Sequence, residues 1–263
     1  MLRPRIIPCL LVHQGGLVKT QGFKDPKYVG DPINAVKIFN EKESDELIVL
    51  DIDATAQGRE PDFGLITKLA EECRMPLCYG GGVKTPEQAK RIIELGVEKI
   101  ALSAAAIDDP SLVTRIAGEV GRQSVVVVLD VRRQGVPGTD HEVWTHNGTR
   151  NRKGKAIELA RQFEAAGAGE IVINSIDNDG QMKGYDLNLA RTLRAALKVP
   201  ITILGGAGSL EHIGALIGAC GVVGASAGSL FVFKGAYRAV LINYPTPKQK
   251  DQIIHSALAC GPR

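Results

Sequence analysis

Residues 46–53 read ELIVLDID, and 124 positions later residues 170–177 read EIVINSID. The same spacing of 124 relates PLCYGGGV at 76–83 to PITILGGA at 200–207, and a spacing of 126 relates Ser103 to Ser229. A half-unit written twice leaves few architectures open, because the two copies must close around a shared core. Aligning the first strands of the halves sets RIIPCLLV at 5–12 against SVVVVLDV at 124–131, a spacing of 119, so Asp130 faces Leu11 across the repeat. One half carries a carboxylate at its first strand end; the other carries an aliphatic group.

Short β-branched runs alternate throughout with stretches of helical period, the pattern of repeated βα units and a parallel sheet. Candidate strands lie at 6–11, 47–52, 77–79, 99–102, 124–129, 170–174, 201–204 and 222–225. Between them, Leu65, Ile66, Leu69 and Cys73 keep the stripe of an amphipathic helix, as do Leu112, Val113, Ile116 and Val120. Asp31-Pro32 and Asp109-Pro110 read as N-caps followed by proline in the first helical position. Eight doubled units predict one α/β domain spanning 1–263, a (β/α)8 TIM barrel with internal half-barrel duplication. The half-barrels fall at about 1–123 and 124–245, with a C-terminal tail at 246–263.

Composition fits one large core, with 44% hydrophobic and 23% charged residues. A net charge of +3 gives no argument for nucleic acid, and no apolar run approaches the roughly 18 residues of a membrane span, so the expected place is the cytoplasm. The five cysteines, Cys9, Cys73, Cys78, Cys220 and Cys260, lack metal-type pair spacing and fit reduced, packed thiols. Neither a metal nor a cofactor is expected.

Two connections after strands exceed their neighbours, 13–30 and 132–155, and Asn147-Gly148 within the second is a hairpin signal. Such loops cover the catalytic face of a barrel. The glycine runs at 80–82 and 205–208 each follow a strand and precede a helix, where bare backbone N–H groups can converge on a phosphate. Each is answered one unit later by a hydroxyl, Ser103 or Ser229, so the pair of rims predicts a substrate with a phosphate at each end. Asp51, Asp53, Asp130, Asp177 and Asp179 sit at strand ends. Asp130 follows four valines and a leucine and suits proton transfer, whereas Asp51 and Asp177 suit holding loops or ribose hydroxyls. At the opposite pole, Arg5, Glu46, Lys99 and Glu170 lie at strand starts, where they form either a salt-bridge plug or a gate for a small polar molecule.

The opening RIIPCLLV, the segments IVLDIDA and YGGGV, the strand ending in Asp130, NSIDNDGQMKGYD at 174–186 and LGGAGSLEH at 204–212 together resemble the HisF family over nearly the whole chain. That family is the cyclase subunit of imidazole glycerol phosphate synthase. The resemblance implies a HisH-like glutaminase docked on the barrel bottom, ammonia passing through the barrel, and a doubly phosphorylated aminoimidazole precursor cleaved and cyclised at the top. Residue by residue, it implies an ammonia gate of Arg5, Glu46, Lys99 and Glu170. Gly81, Gly82, Ser103, Gly205, Gly206, Gly228 and Ser229 would hold phosphates, Asp51, Asp179 and Gly180 would lie near substrate, and Lys19 would belong to a mobile first loop.

The family's catalytic pair takes one aspartate from the first strand and one from the fifth; here the fifth is Asp130 and the first is Leu11. The stretches at 10–43 and 231–245 further resemble a divergent branch, the HisF-like proteins of surface-polysaccharide gene clusters. That likeness implies ammonia supplied, with a glutaminase, to an amidotransferase that makes acetamidino sugars of lipopolysaccharide or O-antigen. A histidine-pathway cyclase with altered acid/base chemistry is the second reading, and a non-catalytic barrel that only docks and conducts is the third. The related HisA isomerases fit less well, since the charged ring has no role there.

Overall fold

In the computed structural model, described over residues 3–134, 141–235 and 237–259, eight parallel strands close into a ring. They are β1 (Arg5–His13), β2 (Leu47–Asp51), β3 (Leu77–Gly80), β4 (Lys99–Leu102), β5 (Val125–Arg133), β6 (Glu170–Ser175), β7 (Ile201–Leu204) and β8 (Gly224–Ala227). Each pairs with its sequence neighbour, and β8 returns to β1 with Arg5 opposite Gly224, which completes the barrel. The halves correspond as the repeat requires: Gly80 ends β3 immediately before Gly81 and Gly82, and Leu204 ends β7 immediately before Gly205 and Gly206.

Alternation along each strand divides the side chains between two cores. On β1, Ile6, Leu10 and Val12 pack outward beneath the helices, while Ile7 and Cys9 join Ile48, Cys78, Val126, Val128, Val172 and Leu204 inside the barrel. Arg5, Ile7, Cys9, Leu11 and His13 therefore form one inward column, and on β5 the corresponding column is Val126, Val128 and Asp130. Burying each large aliphatic chain contributes roughly 1.5–3 kcal/mol, so a one-residue slip, which would exchange the two sets, is strongly disfavoured.

Helices start where side chains can satisfy their free N–H groups. Asp31 accepts from Asn34 N at 2.9 Å, with Pro32 in the first turn, and Thr85 and Gln88 form a reciprocal capping box. The Asp109-Pro110 expectation shifts by one: the helix is Ser111–Val120 with Pro110 at its cap. Asp109 still accepts from Ser111 N at 3.0 Å, and it is also the C-cap of the short helix Ala104–Asp108.

Other differences are local. β5 runs four residues further than its β-branched stretch, to Arg133, because it pairs with an antiparallel hairpin, His141–Thr145 and Arg150–Lys155. The hairpin turns at Asn147 and Gly148, with φ of 55° and 71°. β8 starts at Gly224 rather than Val222, which is 43% exposed. The first long connection, which carries Lys19, contains an antiparallel strand pair, Gly16–Gln21 and Lys24–Gly30, with Lys19 buried on it. The segment expected as a tail supplies the helix Pro247–Ala259, which packs against Leu210–Cys220. Cys9, Cys73, Cys78 and Cys220 are free thiols, and Cys260 lies outside the described residues. No described helix is long and apolar enough to cross a membrane.

Candidate functional site

The C-terminal ends of the strands surround a cavity of about 490 Å³. Asp130 projects into it from β5, and burial raises its carboxyl to about 7 against the pull of a hydrogen bond from Asn174 Nδ2 at 2.9 Å. A carboxyl poised there can give or take a proton near neutral pH. Leu11, from the facing half, presents hydrocarbon to the same space.

Two rims flank Asp130. Gly81, Gly82 and Ser103 line one, and Gly205, Gly206, Gly228 and Ser229 the other. The glycines are sterically required: Gly82 has φ of +76° and a Cβ there would lie 2.8 Å from Arg59 O, while Gly206 has φ of +106° and would place one 2.1 Å from Gly184 O. These contacts explain the tight βα turns, where only a residue without a Cβ fits. Lys19 reaches the second rim, so close that a Cβ on Gly228 would meet Nζ at 2.6 Å. Its ammonium donates to Cys9 O, and burial lowers its pKa.

The remaining strand-end acids hold loops. Asp51 Oδ1 accepts from Asp53 N at 2.9 Å and Ala54 N at 3.0 Å, and Asp177 accepts from Arg133 N at 2.8 Å. Asp179 accepts from Thr20 Oγ1 at 2.6 Å and Phe23 N at 3.1 Å, tying the first hairpin over the cavity. Gly180 meets that hairpin closely, a Cβ there lying 2.2 Å from Thr20 O. From the other side, Asn147 Nδ2 donates to Ile52 O at 2.9 Å and docks the second hairpin on the rim.

At the opposite mouth the four predicted charges meet in a closed ring. Arg5 bonds both Glu46 and Glu170, the latter at 2.7 Å, and Lys99 lies 2.8 Å from Glu46 and 2.9 Å from Glu170. Thr202 Oγ1 adds a bond to Glu170 Oε1 at 2.6 Å. Burial disfavours the Glu170 carboxylate, but Arg5 and Lys99 prevail and hold its carboxyl at about 2. Among the described residues no group of three His, Cys, Asp or Glu is placed to hold a metal ion.

Three contributors escaped the sequence reading. Asn174 acts through Asp130, its register partner on β5, and Thr202 through Glu170 on the neighbouring strand β6, relations that no local motif reports. His13 also lines the cavity, and its signal was the alternation of β1 continued two residues beyond Leu11.

The chain matches the family described as Histidine biosynthesis protein over residues 5–238. It is 56% identical over 254 residues to a Vibrio vulnificus protein provisionally named imidazole glycerol phosphate synthase subunit HisF3, covering 97% of each chain. It is 52% identical to a provisionally named HisF of Leptospira interrogans, over 97% of this chain and 100% of that one. To imidazole glycerol phosphate synthase subunit HisF of Exiguobacterium sibiricum it is 41% identical, over 81% and 84%. A closed eightfold barrel with this repeat, matched end to end by such relatives, belongs to the histidine biosynthesis protein family as a HisF-type imidazole glycerol phosphate synthase subunit.

Proposed function

We propose that the chain is the cyclase subunit of an imidazole glycerol phosphate synthase complex acting in histidine biosynthesis in the cytoplasm. The observation that carries this reading is a buried Asp130, its carboxyl raised to about 7, between two glycine rims that end equivalent strands. A substrate with a phosphate on each rim would have its middle held over that carboxyl. In this reading Gly81, Gly82 and Ser103 take one phosphate, Gly205, Gly206, Gly228 and Ser229 the other, and Lys19 adds charge at the second. A HisH-like glutaminase would dock over the charged mouth, where exposed Val222 stands one residue before Val223, whose carbonyl accepts from Arg5 N at 3.1 Å. Arg5, Glu46, Lys99 and Glu170 would then gate ammonia into the barrel.

Leu11 favours a second reading, in which the barrel keeps its partner and passes ammonia to a sugar amidotransferase for acetamidino-sugar synthesis in lipopolysaccharide. The relatives' names give this reading less support than the first. Turnover of the doubly phosphorylated precursor with ammonium salt, and with glutamine plus a HisH-like glutaminase, separates the two. The first reading requires turnover by the wild-type chain that is lost in Asp130→Asn. No turnover by wild type, together with activity gained in Leu11→Asp, would favour the second.

A further inference from the structure

His13 continues the inward column of β1 two residues beyond Leu11, and it lines the same cavity as Asp130. Its Nδ1 lies 2.7 Å from Asp53 Oδ1, and the other Asp53 oxygen accepts from Gln14 N at 2.8 Å. The carboxylate is therefore fixed by the backbone of the residue next to the imidazole it orients. In the neutral ring that gives Nδ1–H to Asp53, Nε2 carries the lone pair, and no described residue bonds Nε2. Asp53 is itself buried, 6% exposed, so the pair is built into the rim and is not a chance surface contact. The other histidine lining the cavity, His146, sits at a hairpin turn with φ of 53° and bonds Thr145 Oγ1, without a carboxylate to orient it.

We propose that His13, oriented by Asp53, is the acid/base partner of Asp130 in the cavity, on the strand where Leu11 supplies none. The proposal rests on the cyclase reading above. Two groups able to exchange protons, one on β1 and one on β5, rise from opposite halves of the barrel. For ammonia adding to a substrate carbonyl, the new N–C bond forms from the nitrogen lone pair as the C=O π pair moves to oxygen, which takes the proton of Asp130. His13 Nε2 then takes one proton from the new ammonium group. In the second half, the hydroxyl takes that proton from the imidazolium and leaves as water, and the resulting iminium returns a proton to Asp130. Ammonia and the carbonyl thus give imine and water, with both side chains restored. Asp53 does not touch substrate here; it is a positioning residue that fixes the tautomer and stabilises the transient imidazolium.

The test is steady-state turnover of the doubly phosphorylated precursor with ammonium salt, in wild type, His13→Ala, His13→Gln, Asp53→Asn and Asp130→Asn. Both His13 variants should lose about 10²- to 10³-fold in kcat, the scale of one acid/base group, with KM within about threefold of wild type. Added imidazole should restore at least about tenfold in His13→Ala and do nothing in wild type. Asp53→Asn should lose less in kcat, with KM again unmoved. His13→Gln, closer in size, guards against an alanine variant that fails to fold. Wild-type turnover that needs Asp130 but survives in both His13 variants would overturn the role of His13 alone. Absence of wild-type turnover would overturn the cyclase reading and this role with it.

Discussion

Asn174 and Asp130 face one another in register across β6 and β5, and the Asn174 side-chain amide donates to Asp130 Oδ1 at 2.9 Å. This bond favours the ionised carboxylate and opposes the burial that raises it. Asn174→Leu removes it at similar volume, so the carboxyl should move upward from about 7. If Asp130 acts first as an acid, activity falls as pH rises through its pKa, and that limb should shift upward in the variant. An unmoved limb in a full pH profile would show that another group controls it.

Asp130 also makes stability depend on pH. Its carboxyl titrates at about 7 when folded, against an ordinary 3.8, so the folded chain binds the extra proton between those values. The stability this contributes is complete below the unfolded value and is lost as pH rises through about 7. Asp130→Asn should therefore raise the melting temperature at alkaline pH while changing little under acid conditions. The shift sets an upper bound of about 4 kcal/mol, and relaxation around the site should leave something on the order of 2 kcal/mol. Thermal melts across that range check the sign.

At the other mouth the sign reverses. The Glu170 carboxyl is held at about 2, so its pairing contributes fully above the usual carboxylate range and is lost as pH falls toward 2. Lys99→Met leaves Glu46 and Glu170 with Arg5 alone. Acid unfolding should then begin at a higher pH, with a loss at neutral pH of roughly 1–3 kcal/mol, below that of a fully buried pair because Lys99 is partly exposed. If the ring gates ammonia, the same variant should uncouple glutamine hydrolysis from product formation, with excess ammonium restoring yield. Unchanged coupling would leave the ring as a plug.

Ser229 is 9% exposed on the second rim beside Lys19. Ser229→Asp should place a negative charge where an anion is expected and raise KM for a phosphorylated substrate by about tenfold or more, equivalent to 1.4 kcal/mol or more. Ser103→Asp should do the same at the first rim. Calorimetric titration with inorganic phosphate checks each rim; affinity unchanged in both variants would remove the anion sites from these positions.

Much of the molecule was legible because it was written twice. A spacing near 124 located β2, β3, β6 and β7 with the glycine turns after them, and a spacing of 119 between the first strands of the halves placed Asp130 opposite Leu11. The charged ring was readable too, since a strand start fixes which mouth a side chain occupies. The lid over the cavity was less legible. Residues 16–30 carry Gly, Lys and Asp, poor strand formers, and they pair only because β1 and Asp179 offer them an edge and an anchor. His13 read as the first residue of a loop, yet β1 extends through it by pairing His13 with Gly16. The dyad with Asp53 needs two strand ends to be neighbours, a relation that sequence spacing does not encode.

The column on β1 has a consequence for how the two ends of the barrel influence each other. Between Arg5 at one mouth and His13 at the other stand Ile7, Cys9 and Leu11, with Ile48, Val126, Val128 and Val172 around them. A hydrated ion crossing this stretch would have to shed its water with nothing offered in return, whereas a small neutral molecule would face only a steric constraint. The layer therefore bars ions without screening the fields of the charges at its two ends, which act more strongly through a dry interior than through water. Both mouths are felt inside it: Cys78 by Glu46, Lys99 and Glu170, and Cys9 by Lys19, Asp179 and Asp130. Matter of one kind is kept out of this stretch while the influence of charge is not.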